Sequence, residues 1–284
     1  EGKATGVSFI DKEENQEYKL KGKVVVLAAS ACSSARILLN SKSKQHPNGL
    51  GNSSDLVGKY LHDSTGGDMM AFIPQLINRK TYNEDGVGGM HVYSPWWLDN
   101  KNLDFARGYH IEQWGGLGAP TYGTGFDVNS FNKFFGINKA GGYGNGLRND
   151  MKKYYGSTIG LSGRGESIAQ KTNYCEIDSN KVDKYGVPVL RFNYQWTDNE
   201  IKQAKHMQDT FEEIIYNMGG ISLWEKPGKD NNYGLTKPGQ IIHEVGTTRM
   251  GSNPKDSVVD EFEKLHDTSN VYVVDAGPCV SHAD

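Results

Sequence analysis

His243 is the side chain in this sequence best suited to move a proton. It heads the stretch His243-Glu244-Val245-Gly246-Thr247-Thr248-Arg249-Met250-Gly251. An imidazole titrates near neutrality and can accept the proton of a hydroxyl, which is what oxidation of an alcohol requires. The neighbouring Glu244 invites a zinc-protease reading, but the HExxH arrangement needs a second histidine where this chain has Thr247. No other pair among the eight histidines has ligand spacing, so no metal site is expected. A histidine packed against a sheet or exposed in a loop is the ordinary alternative, and the stretch by itself leaves both open.

Glycine clusters at 116–118, 142–146 and 163–165 are candidates for a dinucleotide fingerprint. That fingerprint needs a buried strand before it and a helix opening after it, so that pyrophosphate rests on the helix N-terminus. None of the clusters reads that way. They are expected to be loop glycines, with any pyrophosphate loop lying outside this sequence.

The elements that must position His243 are legible in outline. Gly6 to Asp11 reads as a strand, Lys12 to Gln16 as a charged turn into a second short strand, and Lys23 to Ala29 as a buried strand. Ser30 to Asn40 follows with Ala35, Ile37, Leu38 and Leu39 at helical spacing, making a strand-to-helix crossover. From Gly66 to Gly165, interleaved glycines and aromatics predict antiparallel sheet with long loops, including strands within Asp104–Trp114 and Ser157–Ser162. Ile201, Ala204, Met207, Phe211, Ile214, Ile215 and Met218 share one helical face, opened by a Thr197/Glu200 capping box and stopped by Gly219-Gly220. Val271 to Ala276 is the last predicted strand. The fold class is α/β (α+β).

The net charge of -3 and pI near 6.3 leave no basic footprint for nucleic acid or an anionic membrane. The longest apolar runs fall far short of the ~20 residues that span a bilayer. The cysteines, Cys32, Cys175 and Cys279, are scattered and odd in number, with no disulfide framework or CxxC pattern. The chain begins at Glu1 just before a strand and ends at Asp284 shortly after Gly277-Pro278, without the helix its last strand would feed. It is therefore expected to be a fragment cut at both ends, and its compartment, periplasm or cytoplasm, stays open.

The stretch from His243 to Gly251, with Asn253-Pro254, Ser257-Val258, Leu265-His266-Asp267 and Asn270 to Ala276, resembles the C-terminal signature of the glucose-methanol-choline (GMC) oxidoreductases. Lys23 to Ala29 with Ser33 to Ser41 resembles the second signature of that family, and Gly49 to Leu61 follows it in order. The branch it is most similar to holds glucoside 3-dehydrogenases and the flavoprotein subunits of gluconate and fructose dehydrogenases.

The resemblance implies part of an FAD-binding Rossmann-like domain at 1–65 and 241–284, and a substrate-binding domain at 66–240 built on an antiparallel sheet flanked by helices. It implies FAD as cofactor, with Ala28, Ala29, Asp275 and Ala276 near it, although a strand-end turn carboxylate is the ordinary role for Asp275. It implies a sugar or glycoside as substrate and an electron acceptor such as a cytochrome or small subunit. His243 becomes the base that takes the hydroxyl proton while hydride leaves for the flavin, giving a ketone. The family's second active-site residue falls beyond Asp284, and His282 lines the site. Gln113 is a candidate hydroxyl ligand, and Tyr109, Trp114, Tyr122, Phe126, Phe131, Phe134 and Phe135 are candidate stacking surfaces for a sugar, with half or more of them expected in the core or at an interface. The rival expectations are an oxidase using oxygen and a non-catalytic carbohydrate-binding or structural fragment.

Overall fold

The computed structural model describes residues 2–79, 91–95, 102–114 and 144–282. In chain order the strands and helices begin with β1 (Gly6–Asp11), β2 (Gln16–Lys21), β3 (Val25–Leu27) and α1 (Ala31–Asn40). They continue with β4 (Thr65–Phe72), β5 (His91–Pro95), β6 (Tyr109–Trp114), α2 (Gly144–Tyr154) and β7 (Thr158–Gly165). Then come β8 (Tyr174–Val182), β9 (Pro188–Asn193), α3 (Asp198–Asn217), β10 (Ile221–Ser222) and β11 (Val271–Val273). The architecture is mixed α/β, as expected.

The chain forms two compact units, each assembled from separated segments. The first takes Glu1–Ser64, Glu166–Trp196 and Lys237–Ala283; the second takes Thr65–Gly165 and Thr197–Thr236. Residues 166–196, expected within a middle domain of 66–240, pack in the first of these units. The cause is visible in the β8–β9 hairpin. Ile177 and Leu190 pack on the core around α1. Arg36 of α1 donates to the carbonyls of Pro188 and Val187 and pairs with Asp183 at 2.8 Å.

In the first unit β3 and β11 pair in parallel, Val25 opposite Val271 and Leu27 opposite Val273. Leu27, Leu38, Leu56, Val57, Leu61, Val258, Leu265 and Val273 close a core over them. The buried strand expected over Lys23 to Ala29 is shorter and one-sided. Side chains alternate along a strand, so Leu27 is buried while Val24 and Val26 are 55% and 57% exposed.

The second unit is a five-stranded antiparallel sheet in the order β10-β4-β7-β6-β5. Helix α3 lays Ala204, Met207, Phe211 and Ile215 on it, against Met69, Tyr109, Ile111 and Leu161. The Thr197/Glu200 capping box forms as predicted. Gly163 and Gly165 are strand residues of β7, not loop glycines. A Cβ at Gly163 would sit 2.7 Å from Met207 Sδ, and one at Gly165 would sit 2.8 Å from Gln203 Cδ, so bare backbone is what lets α3 approach the sheet. Gly144 and Gly146 open α2, which also departs from the loop reading; the cluster at 116–118 lies outside the described residues. Among the described residues no helix is long and apolar enough to cross a membrane.

Candidate active site

The site of the first unit lies where β3 and β11 end. Val274 N–H donates to Leu27 O at 2.9 Å, so the two chains leave the pair side by side. In parallel α/β structures, ligands collect at the carboxyl ends of strands. Beyond β3, Ala28, Ala29 and Ser30 run exposed into α1, with Ser30 at φ +80°. Asp275 joins the two strand ends. Its Oδ2 accepts from Ala29 N–H at 3.2 Å and from the Ser34 hydroxyl, and its Oδ1 accepts from Gly277 N–H at 2.8 Å. Asp275 therefore fills the strand-end role considered for it above, and the sequence-predicted group Ala28, Ala29, Asp275 and Ala276 comes together.

The segment carrying His243 is laid alongside these ends. Gly246 N–H donates to Ala276 O at 3.3 Å, Thr248 N–H to Gly277 O at 3.0 Å and Met250 N–H to Pro278 O at 2.9 Å. On its other edge Val245 exchanges two backbone hydrogen bonds with His62, at 2.9 and 3.1 Å, and Thr247 O accepts from Gly58 N–H at 2.7 Å. The Thr247 hydroxyl donates to Ala31 O at 2.7 Å, tying the segment to α1.

Gly246 is required for this fit, with φ +91° and a Cβ position that would meet Tyr60 O and lie 2.7 Å from His62 Nδ1. Gly246→Ala is expected to cost at least the ~1–3 kcal/mol of a non-glycine residue in a sparsely populated region. A lowered melting temperature together with a lowered turnover is the expected reading, and an unchanged melt would contradict it.

The imidazole of His243 is exposed, while its backbone is held on both sides. Its N–H donates to Asp63 Oδ1 at 2.9 Å, and its C=O lies 2.9 Å from His282 Nε2. A carbonyl only accepts, so His282 carries its proton on Nε2. Ser64 Oγ lies 3.3 Å from both His243 Nδ1 and His282 Nε2. When Ser64 accepts from His243 Nδ1–H, the lone pair of the ring stands on Nε2, the form a general base needs. The two histidine rings stack with centroids 6.2 Å apart and planes 18° apart.

Around this constellation lie buried polar atoms that no described residue satisfies. His62 is fully buried; its Nδ1 lies 2.8 Å from Tyr60 O, and its Nε2 has no hydrogen-bond partner among the described residues. Burial pushes its pKa down, so it is neutral near pH 7. Thr248 Oγ1 and Arg249 Nε are likewise buried and unsatisfied among the described residues. Buried polar groups of this kind call for a partner, which water, an ion or a ligand can supply. Among the described residues no group of three or more His, Cys, Asp or Glu side chains could hold a metal ion.

Sequence reading did not single out His62, Asp63 or Ser64. Their one local signal is three consecutive polar residues between the buried Leu61 and strand β4. Gln113 lies half-buried on β6, in the other compact unit from His243. Tyr109 is corrected as a sugar platform: it is buried in the second unit's core, its hydroxyl 2.6 Å from His206 Nδ1 and 3.0 Å from Thr210 Oγ1. Trp114 ends β6. Tyr122, Phe126, Phe131, Phe134 and Phe135 lie outside the described residues.

Residues 170–282 match the GMC oxidoreductase C-terminal domain. Along 96% of its length the chain is 29% identical to 2-methyl-1,2-propanediol dehydrogenase of Mycolicibacterium austroafricanum, covering 46% of that protein. It is 24% identical to the fructose dehydrogenase large subunit of Gluconobacter japonicus, over 95% of the chain and 45% of that subunit. In structure it is similar to an FAD-dependent oxidoreductase from Chaetomium thermophilum, with a TM-score of 0.55 at 13% identity, covering 98% of this chain and 55% of that one. The chain thus spans about half the length of the relatives it matches. By a domain match over residues 170–282 and by relatives of 24–29% identity that align along nearly its whole length, the chain is similar to the GMC oxidoreductases.

Proposed function

We propose that this chain supplies the proton-accepting half of an FAD-dependent oxidation of a sugar or glycoside hydroxyl to a ketone, with His243 as the base. The observation that carries the reading is the setting of His243. Its ring is exposed, beside the carboxyl ends of a parallel strand pair, while its backbone N–H, its C=O and its Nδ1 all face partners within the first unit.

The residues present suit a flavin nucleotide. Exposed backbone at Ala28 to Ser30 and the unsatisfied buried groups Thr248 Oγ1, Arg249 Nε and His62 Nε2 are what a ligand rich in donors and acceptors pairs with. When bound, FAD supplies the hydride acceptor. His243 Nε2 takes the hydroxyl proton as the carbon loses its hydride, and Ser64 holds the ring in the tautomer that permits this. His282 donates to His243 O and so fixes the carbonyl side of the same residue. Gln113 is assigned to the substrate-binding unit as a ligand for a sugar hydroxyl.

The substrate class is favoured by the fructose dehydrogenase relative. Because that relative is a subunit of a larger enzyme by name, electron transfer to a partner protein is preferred to transfer to oxygen. The test is an anaerobic titration of the flavin-loaded protein containing this chain with glucosides and free sugars, followed by visible absorbance. Bleaching of the flavin band by a sugar supports the reading. A band that no sugar or simple alcohol bleaches refutes it, and peroxide released on admitting air would move the assignment to an oxidase.

A further inference from the structure

We propose that Asp63 is the positioning residue for His243, gripping the base by its backbone; the proposal rests on the reading of His243 as the base. Ile242, immediately before His243, sits at φ +65°. A β-branched residue is seldom found in the left-handed region, because its Cβ crowds the carbonyl. Its side chain is 70% exposed, so its own packing does not hold it there, and the restraint must come from outside.

The carboxylate of Asp63 supplies that restraint. Its Oδ2 accepts from Ile242 N–H at 3.3 Å and its Oδ1 from His243 N–H at 2.9 Å. The same Oδ1 accepts from Ser64 N–H at 2.8 Å, so one group fixes both the backbone of the base and the residue whose hydroxyl faces its Nδ1. Asp63 is itself anchored. It is 1% exposed, its N–H donates to Tyr194 Oη at 2.9 Å, and its C=O accepts from Ser167 Oγ at 2.7 Å. Hydrogen bonds to an ionised acceptor shielded from water are the strong kind. If the grip loosens, Ile242 relaxes to negative φ and carries the His243 backbone with it. A displacement on the order of 1 Å in a reacting group costs about 100-fold in rate.

Asp63→Asn tests the grip at nearly constant volume. One oxygen remains to accept from His243 and Ser64, but an NH2 group then points a donor at the Ile242 N–H. In the complete flavin-loaded protein, kcat is expected to fall about 10- to 100-fold with KM within about twofold. Amide exchange at Ile242 and His243 should accelerate. Adding Ile242→Gly removes the strain that the carboxylate opposes, and is expected to restore about tenfold of the lost kcat. A carboxylate that served only general stability would not permit that rescue.

Wild-type kcat and exchange in Asp63→Asn, or a double variant no faster than the single one, overturns the proposal. If Asp63→Asn does not fold, exchange in the unmodified protein decides. Protected Ile242 and His243 amides support the grip, and rates like those of the neighbouring exposed turn refute it. Failure of the base assignment shows up separately, as His243→Ala turning over at the wild-type rate, because amide exchange reads the grip without any turnover.

Discussion

Replacing His243 by alanine is expected to slow flavin reduction by sugar about 10²- to 10⁴-fold, the usual contribution of a positioned general base. The loss should fall on kcat and on kcat/KM together, because the interaction removed is made as the proton leaves. Two secondary signs distinguish loss of a base from loss of the fold. Raising the pH should recover part of the rate, since alkoxide then forms without assistance, and added imidazole should rescue it partially. The backbone contacts of residue 243, its N–H to Asp63 and its C=O to His282, survive the substitution, so the melting temperature should barely change. A variant that reduces flavin within about threefold of wild type would end the assignment of His243 as base.

The second large effect concerns stability. Phe211→Ala is expected to cost about 3–5 kcal/mol, the range for deleting a fully buried ring. Phe211 is 0% exposed, on the face of α3 that covers the five-stranded sheet. The ring approaches β7 so closely that a Cβ at Gly163 would stand 3.2 Å from its Cζ. The void has a rigid floor of strand backbone, so it cannot collapse easily. Denaturant unfolding followed by a probe in the second unit should show the loss directly. Tyr216→Ala, on the opposite face of α3 at 82% exposure, should stay within about 0.5 kcal/mol of wild type. Equal effects at the two positions would mean that α3 does not pack as described.

Helix α3 was fully legible because everything that defines it is local: a capping box at Thr197, apolar residues at helical spacing and a glycine stop. The strands around Val25 and Val271 were legible as apolar runs but were overextended, because a run of valines does not say which face is covered. The membership of residues 166–196 was not legible. It depends on Arg36 meeting Asp183 across 147 positions, and no spacing rule reaches that far. The same limit hid Asp63. His243 stands out by its chemistry, but the carboxylate that holds it lies 180 positions earlier, and a short polar run before a strand looks like any turn. Tyr109 is one of the aromatics that belong to the core and not to a sugar platform. An aromatic among glycines suggests a binding face, yet its hydroxyl found His206 and Thr210 inside the core.

The parallel pairing of β3 with β11 also governs the order in which the chain can fold. Asn270, just before β11, accepts from Ala4 N–H through its side chain and donates to Ala4 O and Lys23 O, closing contacts up to 266 positions apart. The described segments of the second unit end at Thr236, whereas the first unit draws on residues past 270. The edge of β3 that β11 occupies therefore stays unpaired by β11 until residues 271–273 have emerged. Contacts of such separation are slow to form, so the pairing of β3 with β11 is expected to be a late step in the folding of the first unit.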